Sequence, residues 1–158
     1  MKISVQDAGT CDTLGKELGY AAIAKAGFEA IDWNIDHGLP TTKIRSLDYR
    51  GNIFEKPLEE VLCHYEEELA IIRQNGLTIT QCHAPFPAYT LSYNGRHPDF
   101  LDYAIEVYKK CILLCHEANC PYLVIHGISR RRGLEHPTVD ELDALNTKLY
   151  ESLIPTLQ

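Results

Sequence analysis

The stretch Thr78-Ile79-Thr80-Gln81-Cys82-His83 decides the fold of this chain. Its length and its threonines and isoleucine predict a β-strand, and it directly follows an amphipathic helical stretch that ends at Gly76. The stretch Tyr122-Leu123-Val124-Ile125-His126 repeats this arrangement after another helical stretch. Each predicted strand therefore ends in a histidine. In parallel α/β folds, ligands bind and chemistry takes place at the C-terminal ends of the strands.

The same alternation of strand and helix extends over the rest of the chain. Strand two reads Ala30-Ile31-Asp32-Trp33-Asn34-Ile35, with the large apolar residues on one face, so we expect Trp33 to pack in the core against the helices. The last helix opens with Thr138-Val139-Asp140-Glu141, a capping-box pattern. The other predicted elements are a strand from Ile3 to Gln6 and helices from Thr13 to Ala26, from Pro57 to Gly76 and from Pro98 to Ala118. The pattern predicts four parallel strands in the order 1-2-3-4.

Composition limits the classes of protein to consider. The chain has 158 residues, 45% hydrophobic and 23% charged, with a net charge of −7. This is the composition of one globular domain, and the negative charge argues against a nucleic-acid partner. No apolar run approaches the roughly 18 residues that span a bilayer, and the N-terminus lacks a signal-peptide apolar core. We therefore expect a cytoplasmic protein with no membrane partner.

The six cysteines include the cluster Cys111-x3-Cys115-His116-x3-Cys120. Two thiolates one helical turn apart are able to share a zinc ion. The same two cysteines, however, continue the apolar stripe of the third long helix, and cysteine is a common small core residue. We favour packing of reduced thiols over a metal site.

Four motifs in order resemble the xylose isomerase-like barrel superfamily, the sugar phosphate isomerase/epimerase group. The motifs are Lys2-Ile3-Ser4-Val5, Ala26-Gly27-Phe28-Glu29-Ala30-Ile31-Asp32, Gly76 to Phe86 including Cys82-His83-Ala84-Pro85, and Cys120-Pro121-Tyr122-Leu123-Val124-Ile125-His126-Gly127. The resemblance implies a (β/α)8 TIM barrel of about 250 residues. Residues 1–158 would then be its N-terminal half, with about four of eight β/α units, a half-barrel or a truncated barrel. The metal-binding glutamate of the fifth strand and the later ligands would lie outside this chain.

The resemblance also implies roles for three residues. His83 and His126 match histidines that line the substrate pocket in sugar-processing members and ligate zinc in the endonuclease IV-like branch. Asp32 matches an acidic residue near the end of strand two, which would orient a histidine or a sugar hydroxyl. The alternatives are local hydrogen bonding for each histidine and a salt bridge inside the barrel mouth for Asp32. The catalytic residues stay unknown, because the resemblance places them in the absent half.

The sequence offers further candidate site residues besides these three. Gln6 or Asp7 at the end of strand one would reach the pocket. The arginines Arg130 to Arg132 would hold a phosphate or carboxylate, or simply be solvated. Phe86 and Tyr89 would wall a sugar pocket or pack within their loop.

The resemblance implies that the parent protein is a metal-dependent sugar or sugar-phosphate isomerase or epimerase of carbohydrate metabolism, using Mn, Mg, Co or Zn. The alternatives are an endonuclease IV-like zinc phosphodiesterase and a non-catalytic half-barrel that binds or assembles. We expect the chain alone to be inactive and to bind no metal tightly.

Four strands cannot close a parallel barrel, so both sheet edges and apolar residues of the inner face, including Ile3 or its neighbours, Ile79 and Val124, would be exposed. We therefore also expect a homo-oligomer or pairing with the absent half.

Overall fold

Four parallel strands, each followed by helix, make up the chain in its computed structural model, which describes residues 2–35, 39, 50–85, 100–128 and 137–157. The strands are β1 (Ser4–Gln6), β2 (Ala30–Asn34), β3 (Thr78–His83) and β4 (Leu123–Val124). The helices are α1 (Ala8–Leu14), α2 (Lys16–Lys25), α3 (Leu58–Gln74), α4 (Phe100–Glu117) and α5 (Val139–Leu153), with 3-10 turns at Ile53–Glu55 and Ile154–Leu157.

The sheet order β1-β2-β3-β4 confirms the predicted topology, since every neighbouring pair is parallel. The pairing aligns Gln6 with Asp32, and it aligns His83 with both Asn34 and Val124. A register shift beside Asp32 marks a bulge in the β2–β3 ladder. Within the described residues, β1 pairs only with β2 and β4 only with β3, so both outer strands present an open edge. Four parallel β/α units are therefore present, as predicted.

The core lies between the sheet and the helices. Trp33 is completely buried, as its alternation with Ile31 and Ile35 predicts, and its ring meets that of Tyr65 from α3 edge-to-face at 5.5 Å between centroids. Ile79, expected on the exposed inner face, is also buried. The β2–β3 bulge changes the simple alternation of faces, so the open face of the sheet is more polar than the sequence predicts.

The first helical stretch differs from the prediction of one helix starting near Thr13. The helix starts earlier, at Ala8, and is divided into α1 and α2 at Gly15. Gly15 has a φ of +81°, a conformation that favours glycine because it has no Cβ. This break turns α2 so that Tyr20 packs completely buried.

Tyr20 organises a buried polar network behind the sheet. Its hydroxyl lies 2.8 Å from Asp7 Oδ2 and 2.7 Å from Glu68 Oε1 of α3, and Lys16 Nζ lies 2.6 Å from Glu68 Oε2. Both carboxyl groups are almost fully buried. These contacts connect the end of β1 to α2 and α3. The partners also make it possible to bury two carboxyl groups, since a buried charge without a partner is strongly destabilising.

Helix α5 begins with the predicted capping box. The Thr138 hydroxyl accepts from the Glu141 N–H at 3.3 Å, and a Glu141 carboxylate oxygen accepts from the Thr138 N–H at 2.7 Å. Such a cap satisfies two backbone donors that the first helical turn leaves without partners. It fixes the start of the helix that follows β4.

The described helices include none that is both long enough and apolar enough to cross a membrane.

Candidate functional site

Asp32 and His83 form the centre of the candidate site: Asp32 lies in the middle of β2 and His83 is the last residue of β3. The His83 Nδ1 atom lies 2.9 Å from Asp32 Oδ1, and Gln81 Nε2 donates to Asp32 Oδ2 at 3.1 Å. Both members of the Asp32–His83 pair are about one-fifth exposed. A carboxylate that accepts from Nδ1–H fixes the orientation and tautomer of an imidazole. Nε2 of His83 is then the ring nitrogen left for contact with a ligand.

His126 stacks on His83. The two ring centroids are 5.6 Å apart and the ring planes meet at 21°. The two histidines therefore lie at the same end of the sheet, as their positions at the ends of strands three and four predict. Burial, together with the charge of His83, lowers the pKa of His126 below its usual 6.5. Burial and a neighbouring positive charge both disfavour the protonated ring, so His126 is mainly neutral at pH 7.

The loop after β4 is held by one side chain of α5. Asn146 Oδ1 accepts from the Ile128 N–H at 2.7 Å, and Asn146 Nδ2 donates to the Ile128 carbonyl at 2.9 Å. A Cβ on the neighbouring Gly127 would lie 3.2 Å from both Asn146 Oδ1 and the Tyr150 hydroxyl. This close approach explains the glycine directly after His126. Helix α5 thereby fixes the backbone that carries the second histidine.

The open face beside Asp32 is polar and slightly hollow. A depression of about 280 Å³ is lined by Ser4, Val5, Gln6, Asp32, Thr80 and Gln81. The Thr80 hydroxyl donates to the Ile31 carbonyl at 3.2 Å. Hydroxyl and amide side chains around a carboxylate suit a hydroxyl-rich small molecule.

Gln6 and Asp7, the two candidates at the end of strand one, lie in different environments. Gln6 lies on the open face and borders the depression, as expected. Asp7 does not reach the pocket: it is 1% exposed, its carboxylate contacts Tyr20, and its Oδ1 accepts from the Asn34 N–H at 3.0 Å. The expectation for Asp7 was wrong because the strand ends at Gln6 and Asp7 already begins the turn into α1. Its role is structural.

The remaining loop candidates fall outside the described residues. These are Phe86 and Tyr89 after β3, and Arg130 to Arg132 after β4. Their predicted contributions to a sugar pocket or an anion site stay predictions.

Gln81 and Asn146 are the two site residues that the sequence reading missed. Gln81 shares a strand face with His83 because it lies two residues earlier, so alternation alone would have found it. Asn146 interrupts the apolar stripe of α5 next to Leu145 and Leu149. A polar residue in that position is a signal for a buried hydrogen bond, but it does not identify the partner.

The donor atoms at this end of the sheet do not form a three-ligand metal centre by themselves. Within the described part of the chain, three cysteines away from this site have ligand atoms within 4.8 Å of one another. Asp32, His83 and His126 do not form such a group. His83 also has one nitrogen engaged with Asp32. A zinc phosphodiesterase centre on the two histidines would need a third ligand from outside the described residues.

Comparison with solved structures shows which known folds this chain resembles. The chain matches a sugar phosphate isomerase/epimerase from Parabacteroides distasonis with a TM-score of 0.57 and 15% identity, over 99% of this chain and 50% of that one. A xylose isomerase-like TIM barrel/4-hydroxyphenylpyruvate dioxygenase fusion protein gives a TM-score of 0.46 and 19% identity, over 97% of this chain and 20% of the fusion. No family model and no curated protein matches the sequence. The first match shows the fold that the sequence motifs indicated, and this chain spans about half the length of that structure.

Proposed function

We propose that residues 1–158 form the N-terminal half of a sugar or sugar-phosphate isomerase or epimerase barrel. The observation that carries this proposal is the convergence of Asp32, His83 and His126 from three neighbouring parallel strands, on the side of the sheet where β3 and β4 end. Active sites of TIM barrels lie at this end of the strands. The Parabacteroides protein with the same fold is named for this activity, which supports the choice of substrate class.

In this proposal the three residues bind and orient substrate. Asp32 holds His83 through Nδ1, so that Nε2 contacts a sugar hydroxyl. A neutral imidazole both donates to and accepts from hydroxyl groups, which suits His126 with its lowered pKa. Gln81 and Gln6 add amide groups on the same face. Binding by several neutral donors favours the polyhydroxyl part of the substrate over its phosphate.

The reaction itself needs groups beyond these. A divalent ion, Mn, Mg, Co or Zn, would polarise the substrate carbonyl or hydroxyl in the whole protein, and a carboxylate would move the proton. Asp32, His83 and His126 do not provide that centre. The family resemblance puts the metal ligands on the fifth and later strands, so we propose that they lie outside this chain. We therefore expect no ketose or aldose turnover by the chain alone with any of the four metals. Turnover by the purified chain would contradict this part of the proposal.

The open edge at β4 supports a partner that completes the sheet. A groove of about 810 Å³ runs between β4 and α5, and its apolar wall includes Leu123, Ile125 and Leu153. Ile154 and Leu157 also line it and are more than half exposed. We propose that a second copy of the chain or the other half of the barrel covers this edge. Sedimentation of the purified chain tests this: a dimer or larger assembly is expected, and a cooperatively melting monomer would contradict it.

Saturation-transfer NMR with a panel of ketoses and ketose phosphates tests the substrate class. Sugar bound to the chain should receive saturation, and His83→Gln should weaken the transfer strongly. The control is His116→Gln, an exposed histidine on α4. Equal transfer in both variants, or none in the unmodified chain, would refute the proposed substrate class and favour a non-catalytic assembly role.

A further inference from the structure

Three cysteines from separate segments meet on the opposite side of the sheet from the histidine site. Cys82 lies in β3, Cys115 in the last turn of α4, and Cys120 in the turn before β4. Their Sγ atoms all lie within 4.8 Å of one another. All three are buried, with exposures of 0%, 5% and 9% in that order.

Backbone hydrogen bonds hold the three cysteines in place. The Cys120 N–H donates to the Cys115 carbonyl at 2.9 Å, and the Cys82 N–H donates to the Tyr122 carbonyl at 2.9 Å. Between Cys115 and Cys120 the chain reverses through Asn119, which has a φ of +52°. Asparagine tolerates this left-handed conformation better than most residues. The three sulfur atoms are therefore brought together by the fold rather than by flexible side chains.

The spacing suits one metal ion bound to three sulfurs. At a metal–sulfur distance of about 2.3 Å, three ligands in a trigonal plane lie about 4.0 Å from one another. Separations within 4.8 Å thus need only small side-chain movements to reach this geometry.

We propose that Cys82, Cys115 and Cys120 form a binding site for one soft metal ion of low coordination number, of which Cu(I) is the physiological example. Thiolate ligands select soft ions such as Cu(I), whereas structural zinc takes four ligands. Among the described residues, no histidine, carboxylate or further cysteine joins the three thiols. Burial also disfavours water as a fourth ligand. Each cysteine that binds as thiolate releases its proton to solvent, and no change of oxidation state is involved.

This site differs from the one that the sequence spacing indicated. The sequence pairs Cys111 with Cys115, one helical turn apart, but Cys111 is fully buried and does not belong to the group. The proposal departs from the expectation that the cysteines serve packing alone: in it Cys111 keeps a packing role, whereas Cys82, Cys115 and Cys120 bind the ion. Cys111 provides a matched control, since it is a buried thiol in the same helix. Exposed Cys63 is the thiol most open to non-specific copper.

Competition with a chromophoric Cu(I) chelator tests the proposal, under anaerobic reducing conditions and on the full chain carrying Cys63→Ser. This chain should withhold one Cu(I) from the chelator. Adding Cys120→Ser or Cys82→Ala should weaken binding by more than about 100-fold, beyond the 10–100-fold typical of losing an outer-shell partner. Adding Cys111→Ala should leave the affinity unchanged. X-ray absorption of the loaded chain should show three sulfur ligands.

Several outcomes would overturn the proposal. One is transfer of all the copper to the chelator from the Cys63→Ser chain, and another is equal weakening by Cys111→Ala and Cys120→Ser. Circular dichroism checks that each variant is folded. If Cys82→Ala unfolds the chain, Cys120→Ser decides alone, because Cys120 is the most exposed of the three.

Discussion

Truncating Asn146 to alanine should detach the loop that carries His126 and lower the free energy of unfolding by about 2–4 kcal/mol. Asn146 makes two hydrogen bonds to Ile128, at 2.7 and 2.9 Å, and Ile128 is 5% exposed. Removing the side chain leaves a buried N–H and a buried carbonyl without these partners. Each such group costs about 1–3 kcal/mol, and rearrangement of the loop lowers the sum.

Urea denaturation followed by the fluorescence of the single tryptophan, Trp33, measures this change. With an m-value of about 2 kcal/mol/M, the midpoint should fall by about 1–2 M. The control is Asn75→Ala at the end of α3, which removes one local hydrogen bond of 2.9 Å to the Ile71 carbonyl and should cost about 1 kcal/mol or less. Equal midpoints for the two variants would refute the argument that α5 fixes the loop through Asn146.

Three further predictions use the same denaturation assay. Gly127→Ala should destabilise the fold by about 1 kcal/mol, because the new Cβ would press on Asn146, which cannot move without breaking its hydrogen bonds to Ile128. An unchanged or higher midpoint would contradict this. Tyr20→Phe should cost about 1.5–3 kcal/mol, since the hydroxyl bridges two buried carboxyl groups. The control Tyr150→Phe removes a hydroxyl that lies 3.5 Å from the Ile125 carbonyl, and it should cost less than about 0.5 kcal/mol. His126 has a folded pKa below 6.5, so the unfolded state binds more protons and stability should fall as pH decreases through 6.5 and further to the folded pKa. His126→Gln should flatten that part of the pH profile, and an identical slope in the variant would show that other groups cause it.

The strands and their order were predictable because their signals are local. Thr78–His83 appears with the bounds that the sequence predicts, since a β-branched run begins after a helix-ending glycine and stops before Pro85. The Thr138 capping box was predictable for the same reason. In parallel sheets, consecutive strands joined by helices lie side by side, so the meeting of His83 and His126 also followed from local pattern.

The remaining features depend on tertiary contacts. In the sequence, Gly15 is indistinguishable from an ordinary helix residue. The break in the helix at Gly15 accompanies the burial of Tyr20, which depends on tertiary packing. Asp7 reads as a strand-end candidate, but its contact with Tyr20 removes it from the site. Cys82 is 33 residues before Cys115, and no spacing rule connects a strand thiol to a helix thiol. These relations depend on how the helices pack on the sheet, which periodicity does not specify.

Whether His83 and His126 bind a sugar is tested by titrating a ketose or ketose phosphate into the chain while following the imidazole C–H signals of its histidines. The His83 and His126 signals should shift together along one binding curve, while the signals of exposed His64 and His116 stay in place. Asp32→Asn should reduce both shifts, because it weakens the hydrogen bond that orients His83. Shifts confined to other histidines, or none at saturating sugar, would contradict the claim that this end of the sheet is half of a sugar site.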